Sequence, residues 1–152
     1  MEKGTYALII ALKRETTITV GKLGRRGGEN EIAFPAGYYI YVGSARGGLY
    51  PRVSRHLREG KRLRWHIDYL LEHAKVAEVW WTEDSQECLW ACAAKGMPHA
   101  RILVPGFGSS DCRCPAHLIY FPSLPSFELF QKALGEKGAQ LKRTNPGEFL
   151  NP

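Results

Sequence analysis

Hydrophobic and polar positions along this chain change period several times, and each change marks an element. Tyr6 to Leu12 is a short unbroken apolar run, YALIIAL, which predicts a strand buried on both faces. Lys13-Arg14-Glu15 turns the chain into Thr16 to Val20, TTITV, a second strand expected to pair with the first as a hairpin. Gly21 to Asn30 predicts a glycine-rich loop, Glu31 to Phe34 a short strand and Pro35-Ala36-Gly37 a turn. Residues 38 to 42 are all aromatic or β-branched and are expected to complete a small three-stranded antiparallel sheet, with Gly43 letting the backbone leave it.

From Tyr50 to about Glu59 the pattern becomes helical. Leu49, Val53 and Leu57 recur at i, i+4 and i+8, and Pro51 suits a first helical turn. Gly60 breaks it, and Ile67, Leu70, Leu71 and Ala74 predict a second helix with His66, Tyr69 and His73 on its other side. Ala77 to Thr82 reads as a strand, and Glu83-Asp84-Ser85 can cap a third helix that runs to about Lys95. Further strands are expected at Arg101 to Val104 and His117 to Phe121, around a loop at Pro105 to Pro115, and a terminal helix at Ser126 to Leu134. From Leu141 the periodicity is gone and a loosely held tail is expected. The fold class is α+β, with one domain over residues 1–121 and no separate domain in 122–152.

The charge balance narrows the partner. Lys and Arg outnumber Asp and Glu by 21 to 15, the net charge is +6 and the pI about 9.3, all of which favour an anionic partner, nucleic acid first. Arg46, Arg52, Arg55, Arg58, Lys61, Arg62 and Arg64 fall within 19 residues, interleaved with Tyr50 and Trp65, as a phosphate-tracking surface requires. Arg25 and Arg26 in the glycine-rich loop could add to it. The plainer reading of the same residues is a solvated helix face. With no apolar run of membrane-spanning length and no secretory leader, a cytoplasmic protein is expected.

Four cysteines fall in two pairs, Cys88 with Cys92 and Cys112 with Cys114. That spacing departs from the usual zinc knuckle, so buried or redox-idle thiols are the preferred reading and zinc the alternative. Cys112, Cys114 and His117 either form a metal-binding corner or order the loop from Gly106 to Pro115, and the second is preferred.

Gly4-Thr5-Tyr6 at the start of the first strand, Tyr41-Val42-Gly43 at the end of another, Arg52 and His56 one helical turn apart, and a later helical Glu87 resemble the GIY-YIG nuclease superfamily. The phrases WHIDYLL at 65–71 and GFGSSDCRCPAHLIYF at 106–121 resemble one prokaryotic branch of it, found alone or attached to endonuclease III. The resemblance implies a small three-stranded antiparallel sheet flanked by helices, hydrolysing phosphodiesters with one divalent metal, Mg²⁺ or Mn²⁺. Carried over by position, Tyr6 is the general base or its close partner, Tyr41 positions the nucleophile or scissile phosphate, Arg52 stabilises the phosphate, His56 assists and Glu87 holds the metal. Thr5 stands where the family has an aliphatic residue. No later asparagine matches the family's auxiliary residue, for which Ser110 or Asp111 could substitute.

The residues themselves leave alternatives open. One carboxylate suffices for Mg²⁺ when substrate phosphate supplies another ligand, but Asp84 with Glu87 also spells an ordinary capping box. Arg52 offers a planar fork for two phosphate oxygens or is one more surface arginine. Tyr6 becomes a base only if nearby cations favour its phenolate, and is otherwise a core aromatic. His66 touches substrate or sits on the surface. Two function classes follow: a metal-dependent endonuclease, with branched or damaged DNA among its candidate substrates, and a non-catalytic nucleic-acid-binding module that keeps the fold. A weaker third makes the cysteine-rich loop a zinc site serving a protein contact.

Overall fold

A computed structural model describes residues 2–21, 29–108 and 114–150. Its strands are β1 (Gly4–Leu12), β2 (Thr16–Gly21), β3 (Glu29–Phe34), β4 (Gly37–Ala45), β5 (Lys75–Thr82), β6 (Leu118–Phe121) and β7 (Lys142–Thr144), and its α-helices are α1 (Leu49–Leu57), α2 (His66–Leu71), α3 (Glu87–Lys95) and α4 (Phe127–Leu134). The mixed α+β class agrees with the sequence; the sheet does not. Instead of three strands there are five, all antiparallel, in the order β6-β4-β1-β5-β7, and β2 with β3 forms a separate two-stranded ribbon.

The apolar run in β1 explains the difference. A strand apolar on both sides belongs at the centre of a sheet, and both edges of β1 are taken, by β4 and by β5. No edge remains for β2, so the hairpin expected between them does not form. The alternation along β1 then divides the core in two. Tyr6, Leu8, Ile10 and Leu12 face one layer, with Leu49 and Val53 of α1, Ile67 and Leu70 of α2, and Ile18, Val20 and Phe34 of the ribbon. Ala7 and Ile9 face the other, with Trp80 of β5, Trp90 and Ala94 of α3, and Phe130 and Leu134 of α4.

Three further expectations are corrected. Arg101 to Val104 is not a strand: only Arg101 bridges to Tyr120, because the chain then bends away into a turn in which the Phe107 amide donates to the Val104 carbonyl at 3.1 Å. The tail is not loose. Residues 142–144 pair with β5, and a 3-10 turn over Pro146–Phe149 buries Phe149 fully against Tyr50, whose ring it stacks on at 6.1 Å, while Ser54 donates to the Phe149 carbonyl at 2.6 Å. Gly43 does not end its strand either, since β4 continues to Ala45. It pairs with Tyr6, and a Cβ there would collide with the Tyr6 ring. Glycine is needed at that position so that the tyrosine can lie across the neighbouring strand.

Candidate active site

The face of the sheet covered by α1 carries Tyr6 and Tyr41 on adjacent strands, their rings 6.4 Å apart. Leu49 and Val53 bury one side of α1, which turns Arg52 and His56 toward those tyrosines. His56 is 2% exposed, and its Nε2 lies 2.7 Å from the Tyr6 hydroxyl. Arg52 donates from Nη1 to the Ser44 carbonyl at 3.1 Å. His56 Nδ1 is buried and finds no hydrogen-bond partner among the described residues, a cost of about 1–3 kcal/mol.

Electrostatics fix the resting protonation. Burial lowers the His56 pKa to about 3, with Asp68 opposing and Lys61, Arg52 and Arg55 assisting, so the imidazole is neutral. Burial pushes the Tyr6 phenol up, against the pull of Arg52, and Glu87 and Asp68 push it further. Tyr41 is raised for the same first reason, with Tyr6 and Glu87 adding to it. Both tyrosines therefore keep their protons at rest, and Arg52 alone does not supply the charge that a Tyr6 phenolate requires.

These groups open on a cavity of about 440 Å³ lined by Tyr6, Tyr41, Arg46, Arg52, Glu87 and His117, with Gly43, Ser44, Arg64, Trp65, His66 and Gly108 completing the wall. Glu87 is the first residue of α3, and the expected capping box is absent: Gln86 is the N-cap and makes no side-chain cap bond. Buried Thr5 does that work instead, accepting from the Gln86 amide at 2.7 Å and donating to the Asp84 carbonyl at 2.8 Å. The Glu87 carboxylate is thereby left to the cavity, 31% exposed, with Oε2 3.3 Å from His117 Nδ1. His66 accepts the Gly108 amide at 3.0 Å through Nδ1, where a φ of +72° and the Tyr41 ring 3.0 Å from a would-be Cβ both call for glycine.

The basic residues divide. Arg46, Arg52 and Arg64 line the cavity. Arg55 is engaged within the chain: its Nη1 and Nη2 donate to the two oxygens of fully buried Asp68 at 2.9 and 3.0 Å, and its guanidinium sits over Trp65 at 4.1 Å. Lys61 is partly spent as well, donating to the His56 and Arg58 carbonyls at the end of α1. Arg58, Lys61 and Arg62 line a shallow neighbouring depression. A larger cleft of about 520 Å³, at the end of α1 beside residues 71–76, holds none of the motif residues except His56. Arg25, Arg26, Ser110, Asp111 and Cys112 lie outside the described residues.

Cys88 and Cys92 are exposed rather than buried, and Cys88 comes together with Cys114 and His117, a grouping the two sequence pairs did not suggest. Sequence reasoning also missed Asp68 and Thr5. Asp68 had a signal, a carboxylate three residues after Trp65 where a helix begins, the N3 position that accepts N-cap amides. Thr5 had none, because its partners lie about 80 residues away.

A family model described as Domain of unknown function DUF123 matches residues 5–139, from the first strand through the last α-helix. The chain belongs to this family. The matched span of the DUF123 domain includes every cavity residue named above, and the closing strand and 3-10 turn lie beyond it. Comparison with curated proteins and with solved structures gives no match. Among the described residues of this DUF123 chain, no helix is long and apolar enough to cross a membrane.

Proposed function

We propose that this DUF123 protein is a divalent-metal-dependent endonuclease acting on DNA phosphodiesters, related to the GIY-YIG nucleases it resembles in Gly4-Thr5-Tyr6, Tyr41-Val42-Gly43, Arg52, His56 and Glu87. The observation that carries this reading is one cavity shared by Tyr6, Tyr41, Arg52 and Glu87, with His56 hydrogen-bonded behind Tyr6 at 2.7 Å. Side chains from β1, β4, α1 and α3, of the kinds phosphodiester hydrolysis needs, meet at one concave, cationic place.

Arg52 spends Nη1 on the Ser44 carbonyl and, with five N–H groups in its fork, keeps others for phosphoryl oxygens. Its seat over Trp65, 4.6 Å from the ring centroid, holds the fork in one plane. Arg46 and Arg64, on the same wall, fit the flanking phosphates. Tyr41 faces the cavity and would orient the attacking water or the scissile phosphate. Tyr6 acts as base only when added positive charge favours its phenolate, and neutral His56, 2.7 Å away, holds its hydroxyl in place.

Glu87 fits a hard divalent ion: a half-exposed carboxylate on the cavity wall suits Mg²⁺ or Mn²⁺, which need one or two protein carboxylates when waters and substrate phosphates complete the shell. When bound, such an ion supplies the charge that favours the phenolate and neutralises the phosphoryl oxygens. The test is incubation of pure protein with labelled linear, nicked, branched and abasic DNA under Mg²⁺, Mn²⁺ or chelator. Metal-dependent cleavage of at least one substrate is expected. Binding to several with cleavage of none would make the protein a non-catalytic nucleic-acid-binding module.

A further inference from the structure

Beside the cavity lies a second cluster of different chemistry. Cys88, Cys114 and His117 each offer a ligand atom, and the three atoms lie within 4.8 Å of one another. They come from two separate segments, the first turn of α3 and the loop that leads into β6. We infer that these three side chains form a zinc site that clamps the β6 loop to the start of α3.

The donor set selects the metal. Two thiolates and an imidazole are soft and borderline ligands that suit zinc, whereas the ion proposed at Glu87 wants oxygen. Distances agree with modest closure. Around tetrahedral zinc, with Zn–S near 2.3 Å and Zn–N near 2.0 Å, ligand atoms stand roughly 3.5–3.8 Å apart, and the exposed Cys88 is free to rotate inward by the remaining ångström. Binding is Zn²⁺ plus two thiols giving two thiolate bonds and about two released protons, with no redox change. A carboxylate also stands where metal-bound histidines commonly find one, since Glu87 Oε2 is 3.3 Å from His117 Nδ1.

The consequence is positional. His117 sends its backbone amide to the Phe107 carbonyl and its carbonyl to the Val42 amide, at 2.8 and 2.9 Å, so it already joins the loop to β4. Adding a metal link to Cys88, next to Glu87, fixes one whole wall of the cavity. The site is therefore a positioning device for Glu87 and His117, and its occupancy is measured without any cleavage assay, so failure of the nuclease reading and failure of this one are separable.

The full chain, reduced and stripped by chelator, is dialysed against Zn²⁺ alone and, separately, titrated with Co²⁺. One zinc per chain, a thiolate-to-cobalt charge-transfer band and a zinc-dependent rise in Tm of roughly 5–10 °C are expected. Cys88→Ser and Cys114→Ser should each weaken zinc binding by about 100-fold or more, while Cys92→Ser, an exposed thiol on the same helix outside the cluster, should bind as wild type. Cys88 is exposed, so its variant folds, which circular dichroism checks. Absence of stoichiometric zinc, a cobalt spectrum without the thiolate band, a Cys88→Ser variant that binds normally, or a Cys88–Cys114 disulfide in place of metal would each overturn the proposal.

Discussion

Replacing Asp68 by alanine removes four hydrogen bonds at once. The buried carboxylate accepts from Arg55 Nη1 and Nη2 at 2.9 and 3.0 Å and from the Arg64 and Trp65 amides at 2.7 and 2.9 Å. The substitution leaves a guanidinium only 18% exposed without its counter-charge, and two helix-entry amides without an acceptor. Breaking one partner of such a pair costs about 3–5 kcal/mol, so a loss near 4 kcal/mol is expected. For a chain of this size that is roughly 8–16 °C in Tm. The pH dependence carries the same sign. Burial pushes the Asp68 carboxyl up, but Arg55 and the Trp65 and Arg64 amides outweigh it and hold the group below its ordinary value. Its contribution is thus present above about pH 4, the unfolded value, and disappears as pH falls through the folded one. Urea unfolding of wild type, Asp68→Ala, Arg55→Ala and the double variant measures the coupling. The two losses should fall short of adding by about 1 kcal/mol or more. An Asp68→Ala cost below about 1 kcal/mol, or strict additivity, would refute the assignment of Arg55 to this pair and return it to the phosphate surface.

Three further outcomes are expected. His56 is neutral when folded, with its pKa lowered to about 3, so the unfolded chain binds the extra proton and stability should fall between pH 6.5 and about 3, by up to about 1.4 kcal/mol per unit; His56→Phe should flatten that slope in pH-dependent urea unfolding. Phe149→Ala should cost about 3–5 kcal/mol in the same assay, a value that a loose tail would not give. Arg46→Ala and Arg64→Ala should each lower the log–log salt slope of DNA binding by about one, whereas Arg58→Ala, outside the cavity, should change it less.

What the sequence disclosed and what it hid follow from the range of the interactions. The positions of β1, α1 and α4 were legible because their periodicity is local, and Arg52 and His56 were read onto one helical face because i, i+4 spacing is local as well. Strand partners were not. β1 pairs with β4 and β5 and never with its neighbour β2, a choice made by competition for sheet edges that no window of residues records. Gly43 looked like an exit from the sheet because its actual reason, the Tyr6 ring across it, comes from 37 positions earlier in the chain. Arg55 looked like its basic neighbours until Asp68 was seen beneath it. Tyr6 looked activatable by Arg52, and burial proved the larger effect. Cys88 and Cys114 were read in separate pairs since their meeting depends on how α3 docks beside β6.

The account rests most heavily on Glu87, a carboxylate freed from capping and turned into the cavity. The most direct measurement is single-turnover cleavage of the best substrate by wild type, Glu87→Gln and Arg52→Lys in Mg²⁺, alongside DNA affinity and Tm. The account predicts that chelator stops wild-type cleavage, that Glu87→Gln and Arg52→Lys slow it by about 100-fold or more, and that affinity and Tm stay near wild type for Glu87→Gln. Metal-dependent wild-type cleavage with both variants cutting within a few-fold of it would contradict the assigned site.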